Sequence, residues 1–168
     1  TVDLAAPRVR TAGSTESITG TRLAIPGFAT SSLSNGTIVG GVTATNVKDV
    51  AIVGMTIRQD VVVHRGTDYG LELNYNRIWG GVEVAGATRT AMPPRPSVWS
   101  IRYNTTGETM TVDDNQVTVG TPPLLGGNVI GGDLVCGGNN LPPTNSEPGL
   151  TAPNIVAGIP YGQCATLI

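Results

Sequence analysis

The residues of this chain best equipped for chemistry are few and scattered. Asp113 and Asp114 are the one adjacent acidic pair. Two carboxylates about 5 Å or about 6.5–9.5 Å apart are what glycoside hydrolysis requires. No His-Gly or Arg-x-Lys motif follows the pair, and Asp-Asp-Asn before a strand-like stretch more commonly makes a turn. His64 is the sole histidine and closes the run 61–63 of valines, with no second His near it from which a metal site or a triad could be assembled. Arg58, Asp60 and Arg65 lie close together, as expected of a charged coil edge. A calcium-assisted lyase would need clustered Asp or Glu ligands beside a basic residue, and the sequence offers none. The glycine pairs belong to no phosphate loop, since no GxxxxGK[ST] motif occurs and no helix is expected after them. The expectation is therefore a chain without catalytic machinery, cofactor or metal.

More promising is the stretch 89–103, which gathers Arg89, Met92, Arg95, Trp99, Arg102 and Tyr103 around Pro93, Pro94 and Pro96. Trp, Tyr, Arg and Met are enriched in interface cores, which favours a protein contact. Their rings could equally stack on sugar, or Trp99 and Tyr103 could close the apolar base of a surface loop. Cys136 and Cys164 are the only cysteines. Joined, they would be worth about 3–4 kcal/mol in the chain-entropy model and would suit an oxidising compartment; unjoined, they are two buried thiols. The Gly-, Pro- and Asn-rich coil between them favours the bond. Asn35 and Asn104 each open a glycosylation sequon.

These residues need elements to hold them, and the sequence supplies a recurrence. Residues 36–45, 55–64, 76–85 and, one shorter, 128–136 are versions of one pattern, and the first three begin 19 and 21 residues apart. That spacing suits one coil of a solenoid. Ile38, Ile57 and Ile78 share one register position, and Val42, Val61 and Val82 another. In Val82, Glu83 and Val84 the valines are expected inward and Glu83 in water. Gly40–Gly41 and Gly80–Gly81 are expected to turn corners with φ > 0. Residues 46–54 and 68–76 read as the third strand of each coil, with Leu71, Leu73 and Tyr75 inward and Glu72 and Asn74 outward. Asn46 and Asn76 flank the coils, where asparagine can stack as a ladder or simply make a turn.

Regularity breaks between 85 and 114, where the prolines exclude a central strand. Residues 98–103 and 109–112 then read as two strands joined by a short loop, an excursion from one coil. Residues 1–34 hold short β-type pieces cut by Pro and Gly, expected to cap the solenoid or to reach a neighbouring subunit as an arm.

Bulk properties agree. At 168 residues the chain suits one domain, and with 39% hydrophobic and 13% charged residues it lacks a disordered composition. Net charge is −2, and Lys48 is the sole lysine, so no basic stripe supports nucleic-acid binding. No apolar run approaches the ~18 residues of a membrane helix. The start at Thr1 is expected to follow removal of a leading segment by a signal peptidase, a maturation protease or a choice of boundaries.

The run 128–136, with residues 138–145, 153–158 and 162–165, is similar to the C-terminal ending of uncharacterised secreted actinobacterial β-helix proteins. They pair a Gly-Gly-small-Leu-x-Cys-x-Gly-Asn coil with a Pro-rich loop and a terminal Gly-Gln-Cys-Ala. The likeness covers about forty residues. It implies export and a Cys136–Cys164 bond, and carries no activity.

The expected fold is all-β: a right-handed parallel β-helix in one domain. It comprises an N-terminal cap or arm (1–34), regular coils (35–84), a lateral excursion (85–114), last coils (115–136) and a disulfide-tied C-terminal cap (137–168). The expected role is that of a non-enzymatic extracellular structural or interaction protein that self-assembles as a homo-oligomer into a surface layer, filament or shell. The alternative is a polysaccharide-binding or -degrading module of the phage tail-spike kind. Nucleic acid and membrane insertion are not expected.

Overall fold

The computed structural model describes residues 2–3, 10–11, 17–18, 22–25, 30–34, 36–90, 99–147 and 150–168. All regular structure among them is β, in a broad 12-stranded sheet, a narrow 7-stranded sheet and two small pairs. Pairing is parallel throughout, apart from the antiparallel hairpin of Ser146–Glu147 with Leu150–Thr151. In the broad sheet Val2, Leu23, Val42, Val61, Val82, Met110, Leu134 and Pro160 follow one another rung upon rung. In the narrow sheet the succession is Ile18, Ile38, Ile57, Ile78, Thr106, Ile130 and Val156. The chain is a β-solenoid. Its core lies between the sheets, where Ile38, Ile57, Ile78, Val42, Val61 and Val82 are all buried as the register predicts.

Each coil bends after its narrow-sheet strand, at 39–40, 58–59 and 79–80, but at its two other corners the bend is made by residues with left-handed backbone. One column is Asn46, Arg65, Gly86, Asp114 and Gly138; the other is Gly54, Tyr75, Tyr103 and Gly127. Gly40, Gly41, Gly80 and Gly81, expected at such corners, are not among the left-handed residues. Glycine is required at two of them for another reason. A Cβ at Gly41 would lie 2.7 Å from the carbonyl of Asp60, and one at Gly81 would lie 2.8 Å from that of Thr109. The next rung's backbone passes too close for any side chain. The left-handed corner also corrects Tyr75: it breaks the strand's alternation, so Tyr75 is 62% exposed while the preceding Asn74 is buried.

Beside the Tyr75 corner runs an asparagine ladder. Asn76 donates from its backbone N–H and from Nδ2 to Asn104 Oδ1 (3.0 and 2.9 Å), and Nδ2 also reaches the carbonyl of Ile52 at 2.7 Å. Asn104 repeats this on Asn128, and Asn128 on Asn154. A second ladder at the other corner joins Asn115, Asn139 and Gln163. Asn46 takes no ladder place and serves the turn, at φ 55°. A buried bend leaves backbone groups that the strand pattern cannot pair, and a stacked amide supplies both donor and acceptor.

The region expected as an excursion is largely regular coil. Ser100–Arg102 pairs in parallel with the strand Val61–Asn74 at Glu72–Asn74, and Met110–Asp113 pairs with Val82–Ala85. The two strands flanking 104–108 thus belong to successive sides of one coil and not to a hairpin. The ladder step lengthens from 21 residues to 28 there, and residues 91–98, with Met92, Arg95 and the prolines, lie outside the described residues. Likewise Val2–Asp3, Arg22–Ile25 and Thr30–Ser34 continue the broad sheet, so part of 1–34 is solenoid rung. The tail also adds a rung, with Ile155–Val156 on Val129–Ile130 and Pro160–Gly162 on Leu134–Cys136.

Cys136 and Cys164 form a disulfide with Cα atoms 5.2 Å apart, and both are buried. Cys136 extends the inward column of Val63, Val84 and Val112, so the bond is part of the core.

Candidate interaction face

The stretch 89–103 divides into an inner and an outer part. Arg89 is buried, its guanidinium lies against Gly120, and burial lowers its pKa. Trp99 is 1% exposed and packs in the core, its indole Nε1 without a hydrogen-bond partner among the described residues. It cannot stack on a ligand. Arg102 and Tyr103 face outward: the Arg102 guanidinium sits 5.0 Å from the Tyr103 ring centroid, and its Nη2 donates to Tyr103 Oη at 3.0 Å.

The structure joins these two to residues from the preceding rung. Tyr75 stacks on Tyr103 with centroids 5.0 Å apart and planes 17° from parallel. The left-handed corner puts both rings in one column. From Tyr75 the same rung continues through outward-facing Arg77 to Trp79, 51% exposed, with Ile78 inward between them. Arg58, one rung earlier, places its guanidinium 5.1 Å from the Trp79 centroid, and that of Arg77 lies 6.0 Å away. Arginine on an aromatic face gains cation–π attraction of about 0.5–1 kcal/mol at an exposed site. The wall therefore carries Tyr75, Trp79 and Tyr103 interleaved with Arg58, Arg77 and Arg102.

Tyr75, Arg77 and Trp79 were not among the expected contact residues. Alternation around the buried Ile78 would have shown Arg77 and Trp79 outward; the flipped Tyr75 had no comparable signal.

The remaining polar residues serve the scaffold. His64 and Glu83 meet at 2.8 Å on the outer broad sheet, both side chains nearly half exposed, a pair worth about 0–1 kcal/mol. Asp113 accepts the N–H of Gly137 at 2.5 Å. Its carboxyl is raised above the usual range by burial first and then by Asp114 and Glu83, against the lowering effect of that hydrogen bond. Asp60 accepts the Gly81 N–H and Asp133 that of Ile159, both at 2.8 Å. No group of three His, Cys, Asp or Glu among the described residues is placed to hold a metal ion. No helix among them is long and apolar enough to cross a membrane. Asn104, the sequon residue, is 1% exposed with its amide committed to the ladder, and Asn35 lies outside the described residues.

The fold and this wall define a disulfide-containing parallel β-solenoid with an exposed aromatic and arginine face. Comparison with family models, curated proteins and solved structures returns no match.

Proposed function

We propose that this is a non-enzymatic extracellular structural protein whose copies associate through the rung formed by residues 155–162. The observation that carries the reading is the set of exposed apolar side chains in which three outward columns end. One runs Thr37, Thr56, Arg77 and Thr105 and ends in Val129 and Ile155. A second runs Asp60, Gly81, Thr109 and Asp133 and ends in Ile159. The third passes through Glu83, Thr111 and Val135 to Tyr161. Ile155, Ile159, Tyr161 and the nearby Ile168 are 46–68% exposed. Exposed apolar side chains gathered on one rung are characteristic of contact surfaces. The disulfide is consistent with an oxidising compartment, hence the extracellular placement. A second copy is favoured as the occupant because a solenoid end offers strand edges that match another solenoid.

Size-exclusion chromatography with light scattering tests this. Wild type is expected to associate across micromolar concentrations, and Ile155→Asp with Ile159→Asp to give monomer. A monomeric wild type across that range would sink the proposal.

A further inference from the structure

We propose that the wall around Trp79 is a binding site for an anionic polysaccharide, independent of the association surface at residues 155–168. The platform is the indole of Trp79, half exposed and covered by Arg58 from the preceding rung. On the following rungs the corresponding positions are Gly107 and Gly131, whose N–H groups donate to the carbonyls of Ile78 and Thr106. Both are glycine of necessity: a Cβ at Gly107 would run into the Trp79 carbonyl, and one at Gly131 into that of Gly107.

Packing between rungs therefore leaves bare backbone beside the indole. With rungs about 4.8 Å apart, the strip from Trp79 past Gly107 to Gly131 runs about 10 Å along the solenoid axis. Arg77, Thr105 and Val129 border it on one side, and Gly80, Glu108 and Gly132 on the other. A half-exposed indole on a rung followed by positions without side chains fits the C–H face of a sugar ring, with room for a short run of linked rings.

Charge selects among sugars. Arg58 and Arg77 stand at the indole, and Arg102 lies one rung on beside Tyr103. The carboxylates nearby are Asp60 and Asp133, already accepting the N–H groups of Gly81 and Ile159, and Glu108 at the far border. The balance at the platform favours a carboxylated or sulfated chain, whose anions can meet guanidinium in forked hydrogen bonds. A dry protein interface would have to desolvate these arginines, at a cost that a hydrated polysaccharide avoids. Single-stranded nucleic acid would want a basic groove with successive stacking platforms, on a chain whose net charge is −2.

The test is affinity electrophoresis of the purified protein in gels containing polygalacturonate, heparin, neutral dextran or poly(dT). Retardation by polygalacturonate or heparin is expected, and which of the two is stronger separates carboxylate from sulfate recognition. Trp79→Ala should weaken it at least tenfold and Arg77→Gln several-fold. Added salt should weaken it further. Tyr161→Ser, at the separate association surface, should leave it unchanged. Thermal unfolding of each variant checks that the exposed substitutions leave the fold intact, and Arg77→Gln decides the matter should Trp79→Ala be unstable. Absence of retardation by either anionic polymer, equal retardation by dextran, stronger retardation by poly(dT), or unaltered binding in both Trp79→Ala and Arg77→Gln would each overturn the site.

Discussion

Asn104 and Asn46 are the same residue type beside a solenoid corner, and the structure gives them different work. Asn104 accepts at Oδ1 from Asn76 and donates from Nδ2 to Leu73, all within the core. Removing it strands the backbone N–H of Asn76 and the carbonyl of Leu73, at about 1–3 kcal/mol for each buried group. Asn104→Ala is therefore expected to lose at least about 2 kcal/mol in urea unfolding. Among the described residues Asn46 supplies only a left-handed backbone, so Asn46→Gly should be nearly neutral in the same assay. Expression in a glycosylating host should leave Asn104 unmodified in folded protein, seen as an unshifted peptide mass. The sequence held a usable sign of the ladder, because Asn76, Asn104, Asn128 and Asn154 each precede x-(Ile/Thr/Val). At Asn104 that pattern coincides with a sequon. Trp79 was legible from its alternation with Ile78, whereas the burial of Trp99 depends on Ser100–Arg102 docking against the preceding rung, a long-range pairing that local pattern does not reveal.

At the scale of elements, the rungs with ~20-residue spacing were readable because two inward columns repeat one residue type. Isoleucine stands on isoleucine at 38, 57 and 78, and valine on valine at 42, 61 and 82. Recognition failed where a rung kept its geometry and changed its residues: Thr106 replaces isoleucine in one column and Met110 replaces valine in the other. The rung holding Pro160 was similarly hidden, since its proline sits on an outermost strand, where a missing N–H is tolerated. The disulfide ties that rung to the core column. Replacing both cysteines by alanine is expected to cost about 2–4 kcal/mol, and reduction of wild type should produce a similar fall in Tm.

For the molecule as a whole, two partly buried carboxyls make stability depend on pH. Asp49 is raised by burial and then by Glu72; Asp113 is raised by burial and then by Asp114 and Glu83, partly offset by the Gly137 N–H. A raised carboxyl binds its proton more tightly folded than unfolded. Its contribution to stability is thus full below the ordinary value of 3.8 and is lost as pH rises through the folded value. Asp113→Asn keeps an acceptor for Gly137 and removes the charge. It is expected to raise Tm at pH 7 and to leave it unchanged near pH 3, as scanning calorimetry would register.

The first ladder also has a direction. Every backbone N–H in it donates toward the next asparagine, from Met55 to Asn76 and on to Asn154, where Nδ2 is received by the carbonyl of Leu167. At the other end the donor from Gly36 meets, among the described residues, the sulfur of Met55 at 3.2 Å. Sulfur is a weak acceptor, so the series begins loosely and finishes anchored. Opening of the corner should consequently be graded, and amide hydrogen exchange should read the gradient, with Gly36 exchanging well before Asn76, Asn104 and Asn128.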